Sequence, residues 1–279
     1  MMVFKDREII FNSPKIMGIL NVTPDSFSDG GKFTTLDKAL KQATAMVKHG
    51  ATFIDVGGES TRPGAQEVSL EEELSRVIPV IEAINNELDV IVSVDTSKAK
   101  VMEEAVWAGA RLINDVRALQ LPNALQTAAK FAKELNIPTC IMHMQGSPLT
   151  MQIAPQYESV VDEVIAFFRL QIERLILAGF EYKQIMLDPG FGFGKSLDNN
   201  YQLLKSFSQL TQFDLPVLAG MSRKSMIGNL LNKDVDNRLS GDIAANTIAA
   251  MSGASILRVH DVEETIDAMK VVDKTNSVK

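Results

Sequence analysis

The stretch TFIDVGGESTRPGAQEVSLEEELSRVIPVIEAINNELDVIVSVD, from Thr52 to Asp95, decides the fold. It opens on a β-branched, apolar run, Thr52 to Gly57, and closes on another, Val90 to Asp95. Between them Leu70, Leu74, Val77, Ile78, Ile81 and Ile84 recur at the spacing of one helical face. Ser69 stands where its hydroxyl would cap the turn Glu71-Glu72-Glu73. Both strands are nearly continuous in apolar residues, as expected of strands covered by helices on both faces. A strand, a helix and a second such strand make one unit of a parallel sheet.

The same unit repeats outward in both directions. Candidate strands lie at 15–22, 52–57, 90–95, 111–116, 138–144, 185–189, 215–221 and 255–260. A second clear helix covers about 157–178, with Val161, Val164, Ile165, Phe168, Ile172, Leu175 and Ile176 on one face. Eight strand-helix units in a chain of 279 residues match a (β/α)8 TIM barrel of the α/β class. A doubly wound open sheet is the alternative, but the dinucleotide fingerprint that usually follows its first strand is absent. Phe4 to Phe11 is short and alternating, which predicts a hairpin closing the barrel bottom. Residues 1–14 are therefore expected to form that hairpin and 15–279 a single barrel domain.

Lys and Arg number 28 and Asp and Glu 35, a net charge of -7, with 46% hydrophobic and 23% charged residues. That acidic balance argues against nucleic-acid or anionic-membrane binding, both of which need an excess of Lys and Arg. An anionic ligand must meet a local basic cluster. Cys140 is the single cysteine, so neither an internal disulfide nor a cysteine-rich zinc site is available. His49, His143 and His260 show no i, i+4 pair for zinc. Charge at Lys5, Asp6, Arg7 and Glu8 interrupts any N-terminal apolar run, and no segment reaches a membrane span of ~18 residues. A cytoplasmic location is expected.

Each apolar strand ends in an unusual polar residue: Asn21, Asp55, Asp95, Asn114 with Asp115, His143, Asp188, Ser222 with Lys224, and Arg258 with His260. Any one of these serves equally well as a helix cap or loop hydrogen bond. In a barrel, however, these ends converge on the face where active sites lie, giving a pocket of carboxylates on one side and cations on the other. Two long polar loops, Thr23 to Gly31 and Gly57 to Gly64, are candidate lids. The string Gly190-Phe191-Gly192-Phe193-Gly194-Lys195 does not continue into a dinucleotide motif, and Gly220-Met221-Ser222-Arg223-Lys224-Ser225 is not a Walker loop.

Taken in order, these segments resemble the dihydropteroate synthases, the pterin-binding (β/α)8 enzymes of folate biosynthesis. The resemblance runs from about residue 15 to 271. It rests on Met17 to Gly31, Asp55 to Gly64, Ser93 to Thr96, Ile113 to Val116, Met142 to Gly146, Asp188 to Lys195, Ser222 to Ser225 and Arg258 to Asp261. It implies a transferase that joins a dihydropterin bearing a hydroxymethyl diphosphate to p-aminobenzoate and releases pyrophosphate, in a class targeted by sulfonamide inhibitors.

By that resemblance Asp95, Asn114, Asp188 and Lys224 would bind the pterin, whose amino-pyrimidine edge offers N–H donors that ionised carboxylates accept. Asn21, Thr61, Arg62, Arg258 and His260 would bind the diphosphate, with Mg2+ held through Asn21. Thr61, Pro63, Phe193, Lys224 and Ser225 match the p-aminobenzoate positions, and Asp25, Ser26, Phe27 and Ser28 a lid loop. Asp95, Asp188, Lys224 and Arg258 would carry catalysis, an SN1-like displacement in which carboxylates stabilise a delocalised pterin cation and cations the leaving pyrophosphate. Lys195, Arg223 and His143 adjoin these positions, and Arg117 departs from the family's small residue there. The family typically forms homodimers. Two other readings share the pterin pocket: a methyltetrahydrofolate-dependent methyltransferase domain, which has no need of the diphosphate cations, and a catalytically silent pterin-binding module.

Overall fold

The computed structural model describes residues 1–23, 32–60, 67–146, 151 and 155–278. An antiparallel hairpin, β1 (Met2–Phe4) and β2 (Arg7–Ile9), precedes the repeating units. These run β3 (Lys15–Asn21), α1 (Lys32–Lys48), β4 (Phe53–Gly57), α2 (Leu70–Glu87), β5 (Ile91–Asp95), α3 (Ala99–Ala108), β6 (Leu112–Asp115) and α4 (Ala124–Leu135). They continue through β7 (Thr139–Met142), α5 (Val160–Ala178), β8 (Ile185–Asp188), α6 (Leu197–Lys205), β9 (Leu218–Ala219), α7 (Ser225–Leu231), α8 (Leu239–Met251), β10 (Ile256–Val259) and α9 (Val262–Ser277).

The strands β3 to β10 form one parallel sheet in the order β8-β7-β6-β5-β4-β3-β10-β9. Its two edges meet: Val217 bridges in parallel to Leu187 of β8, whose N–H donates to Pro216 O at 3.0 Å. The sequence expected the strand before this closure to run over 215–221, but only Leu218 and Ala219 have ladder form. Pro216 has no N–H to give, and the chain turns away after Ala219 toward Lys224. Pairings of Ser93 with Leu112, Asn114 with Cys140 and Arg258 with Met17 stagger neighbouring strands, the shear a closed barrel needs.

Side chains alternate inward and outward along each strand. Met17, Phe53, Ile91, Leu112, Cys140, Met186, Leu218 and Ile256, one from each barrel strand, pack together with Met2 and Phe4 of the hairpin. Phe4 meets Phe53 edge-on, with centroids 5.2 Å apart, so the hairpin plugs the barrel base as its alternation predicts. Arg111 fastens it from the start of β6, with Nε donating to Asp6 Oδ1 at 2.7 Å. Outward residues such as Ile54, Val56, Val92 and Val94 join the helices in a second, larger cluster.

The two helices read from sequence are present with small differences. Ser69 caps α2, its Oγ accepting the Glu72 N–H at 3.2 Å, and Val77, Ile81 and Ile84 are buried. The helix expected from about residue 157 begins at Val160, after Ser159, whose Oγ accepts the Asp162 N–H at 3.4 Å. Ile176, expected inside, is 40% exposed. The buried stripe runs through Val164, Phe168, Gln171 and Leu175, and Ile176 lies one ~100° step off it.

Candidate active site

Two residues beyond the apolar base layer, the inward positions become polar: Asp55 after Phe53, Ser93 after Ile91, Asn114 after Leu112, Asp188 after Met186 and Arg258 after Ile256. One further step brings Asp95 on β5 and Asn21 on β3, both at their strands' C-terminal ends. The alternation that fills the base therefore also delivers these side chains to the barrel mouth.

Asp55, Asp95, Asn114 and Arg258 meet there. The Arg258 guanidinium donates from Nε to Asp55 Oδ2 at 2.6 Å and from Nη2 to Asp95 Oδ2 at 2.7 Å. Asn114 Nδ2 also donates to Asp55 Oδ2, at 3.0 Å. Burial pushes the Asp95 carboxyl up to about 7, with Asp55 adding and Arg258 opposing. For Arg258 burial disfavours the charge, but the Asp55 and Asp95 carboxylates outweigh it and hold the group above its usual range. Asp55 Oδ1 and Ser93 Oγ, both fully buried, find no partner among the described residues. The sequence marks Asp55 without giving it a role. Its alternation with Phe53 was the available signal, since it forces the carboxylate inward.

On the other side of the mouth stand Asp188 and Lys224. Asp188 Oδ1 accepts the Gly190 N–H at 2.7 Å, and burial raises its carboxyl, with Lys224 chief among the groups opposing. Lys224 Nζ donates to Phe191 O at 2.6 Å and lies 4.5 Å from the centroid of the Phe193 ring. Burial lowers it to about 8, with Asp188 opposing. Phe193 itself packs with Val116, Met142 and Met151. Ser225, exposed, is the first residue of α7.

His260 follows β10, its Nδ1 lying 3.0 Å from Ser222 Oγ. Because Ser222 Oγ already accepts the His260 N–H at 3.2 Å, the hydroxyl proton suits Nδ1, leaving Nε2 to carry the ring proton. Arg223 joins the same two loops, with Nη2 donating to Asp261 Oδ1 at 2.6 Å. It is a tie between loops rather than part of the mouth.

Two strand-end residues do not face the pocket. Asp115 alternates with inward Asn114 and so points out, where it accepts the N–H groups of Arg117 and Leu119, each at 2.8 Å. His143 alternates with Met142 and sits outside the sheet, 5.0 Å from the Phe167 ring of α5. Arg117, the departure noted in the sequence, places Nη2 3.8 Å from Glu59, which Lys98 links to buried Glu73. Asp25, Ser26, Phe27, Ser28, Thr61, Arg62 and Pro63 lie outside the described residues.

Comparison with known proteins gives this pocket its context. Residues 17–260 match the pterin binding enzyme family. The chain is 57% identical over 266 residues to the dihydropteroate synthase of Escherichia coli K12, covering 95% of this chain and 93% of that one. The Yersinia pestis dihydropteroate synthase, solved with a sulfonamide drug complex, superposes with a TM-score of 0.93 at 54% identity, covering 98% of each chain. That of Xanthomonas albilineans, solved with 4-aminobenzoic acid, gives 0.91 at 46% identity over 97% of this chain and 96% of that one. The chain belongs to the pterin-binding enzyme family and, within it, to the dihydropteroate synthases.

Proposed function

We propose that this pocket divides the work of the synthase reaction between its two kinds of charge. The chain condenses (7,8-dihydropterin-6-yl)methyl diphosphate with p-aminobenzoate to 7,8-dihydropteroate and pyrophosphate. In this reading Asp95, Asn114 and Asp188 bind the pterin edge and Lys224 its carbonyl side. Buried acceptors of this kind reject analogues lacking the matching donors. Asn21, Thr61, Arg62, Arg258 and His260 take the diphosphate. Thr61, Pro63, Phe193, Lys224 and Ser225 surround p-aminobenzoate, beneath a lid of Asp25, Ser26, Phe27 and Ser28.

One observation carries this division: Arg258 is shared between the Asp55 and Asp95 carboxylates at the mouth. Pterin N–H groups arriving at Asp95 replace one partner of Arg258 and turn its guanidinium toward the diphosphate, while Asp55 keeps hold of Nε. Departure of the diphosphate in an SN1-like step leaves a delocalised cation on the pterin methylene, which Asp95 and Asp188 stabilise. The neutral aniline then needs positioning rather than a strong base.

Among the described residues no group of three or more His, Cys, Asp or Glu side chains is placed to cage a metal. A single amide oxygen from Asn21 fits Mg2+ nonetheless, since this ion keeps several waters and takes its other ligands from substrate phosphates. When bound there it would supply positive charge to the diphosphate. Competition by sulfonamides for the p-aminobenzoate site belongs to the same reading, and the Yersinia pestis relative solved with a sulfonamide drug complex supports it. A homodimer is proposed through the last helices, where Leu230, Ile248, Met251 and Val271 are exposed apolar residues. Sedimentation would show it. A cytoplasmic location is part of the same proposal; no described helix is long and apolar enough to cross a membrane.

Pyrophosphate release that depends on p-aminobenzoate and Mg2+ is the direct test. Arg258→Ala should lose diphosphate binding and keep affinity for the free pterin, and Asp188→Asn should do the reverse. Equal loss of both ligands in both variants would sink the division.

A further inference from the structure

Lys195 has no part in the proposed chemistry, yet it is 3% exposed and its ammonium is surrounded by acceptors. Nζ lies 2.9 Å from Gly190 O, 3.1 Å from Phe193 O and 3.0 Å from His143 Nδ1. When charged, its three N–H donors face these acceptors, with His143 O farther off at 3.4 Å, and His143 then accepts at Nδ1 and carries its ring proton on Nε2. Burial, with the Lys195 charge adding to it, lowers the His143 ring to about 3. Burial also brings Lys195 down to about 7, with Asp188 opposing and Lys224 adding. An arrangement that disfavours its own charge this strongly invites a functional account.

The two carbonyls it binds bracket a short segment. Phe191 and Gly192 lie between them, and with Phe193 they supply what holds Lys224: Phe191 O at 2.6 Å and the Phe193 ring at 4.5 Å. The Lys224 stem passes over Gly192, with Cδ 3.1 Å from where a Cβ would stand. The segment has little rigidity of its own, since Gly190, Gly192 and Gly194 all adopt positive φ. Gly190 is also pressed against the His143 carbonyl, which a Cβ would meet at 1.9 Å.

We propose that Lys195 is a positioning residue: its buried ammonium clamps Gly190, Phe193 and His143 together and so fixes the loop that holds Lys224 over the Phe193 ring. It touches no substrate and acts through Lys224. The proposal rests on the reading of Lys224 as a substrate contact, so its test must separate the two.

A double-mutant cycle of Lys195→Met and Lys224→Met does so. Steady-state constants for p-aminobenzoate and calorimetric affinity for the free pterin would be measured on the full chain at about pH 6, below both lysine pKa values. Lys195→Met alone is expected to lower kcat/KM for p-aminobenzoate roughly 10- to 100-fold, the usual penalty of a misplaced active group. In the Lys224→Met background the same change should cost no more than about twofold, because its target is already gone. Losses that multiply would overturn the proposal while leaving the site reading intact. A Lys224→Met variant with unchanged constants would overturn both. Should Lys195→Met fail to fold, Lys195→Gln, which keeps one donor end, goes through the same cycle with the same criteria.

Discussion

Asp95 and Asp55 share Arg258 but stand in different relations to it. Asp95 is the outer partner, with a carboxyl raised to about 7 chiefly by burial. A raised carboxyl is ionised above that pH and protonated below it, so its acceptor capacity for pterin N–H groups fails on acidification. Free-pterin affinity should therefore fall as the pH drops below 7, by up to about tenfold per unit, and Asp95→Asn should bind more weakly but flatten the profile. A wild-type affinity measured calorimetrically as constant across neutrality would count against this. Asp55 is the inner partner, fully buried and holding both Arg258 and Asn114. Asp55→Ala leaves a buried guanidinium half-paired and should cost about 3–5 kcal/mol in urea unfolding, whereas Asp55→Asn, which keeps an acceptor, should cost less.

At the scale of elements, the hairpin and the barrel mouth are built for separate ends. Phe4 lies in the base layer against Phe53, at the opposite end of the strands from Asp95 and Asn21. Phe4→Ala should destabilise by about 3–5 kcal/mol while kcat/KM at a temperature well below unfolding stays within about twofold. Unchanged stability would mean the hairpin is not a plug. The start of α2 depends on one side chain, Ser69, through its bond to the Glu72 N–H. Ser69→Ala should lower stability by about 1 kcal/mol, read as a shift in the thermal midpoint, and Ser69→Asp should restore it.

For the whole molecule, the net charge of -7 describes the surface and leaves the pocket undetermined. Pyrophosphate alone, at about a hundredfold above its Kd, should stabilise the chain by about 2.7 kcal/mol despite that charge, and Arg258→Ala should abolish the shift. Equal stabilisation of the variant would place the anion site elsewhere. Much of the architecture was legible in order along the chain, because covered parallel strands and amphipathic helices declare themselves by local periodicity. What local pattern also determined is parity: once Phe53 faces in, so does Asp55, and once Asn114 does, Asp115 cannot. Read strictly, that rule already excluded Asp115 and His143 from the pocket. The shortening of the seventh barrel strand, β9, was less visible, because its length is set by where closure onto Leu187 ends. Partnership was not legible at all. Arg258 and Asp55 are 203 positions apart, and only the stagger of a closed ring places one guanidinium between two carboxylates from β4 and β5. Likewise Lys195 and His143, 52 positions apart, meet because β7 and β8 are neighbours. The sequence by itself determined which strand residues face the barrel mouth, since that follows from strand periodicity. The tertiary structure decided which of them share a proton donor or a charge, since those pairings depend on cross-barrel geometry that no local stretch contains.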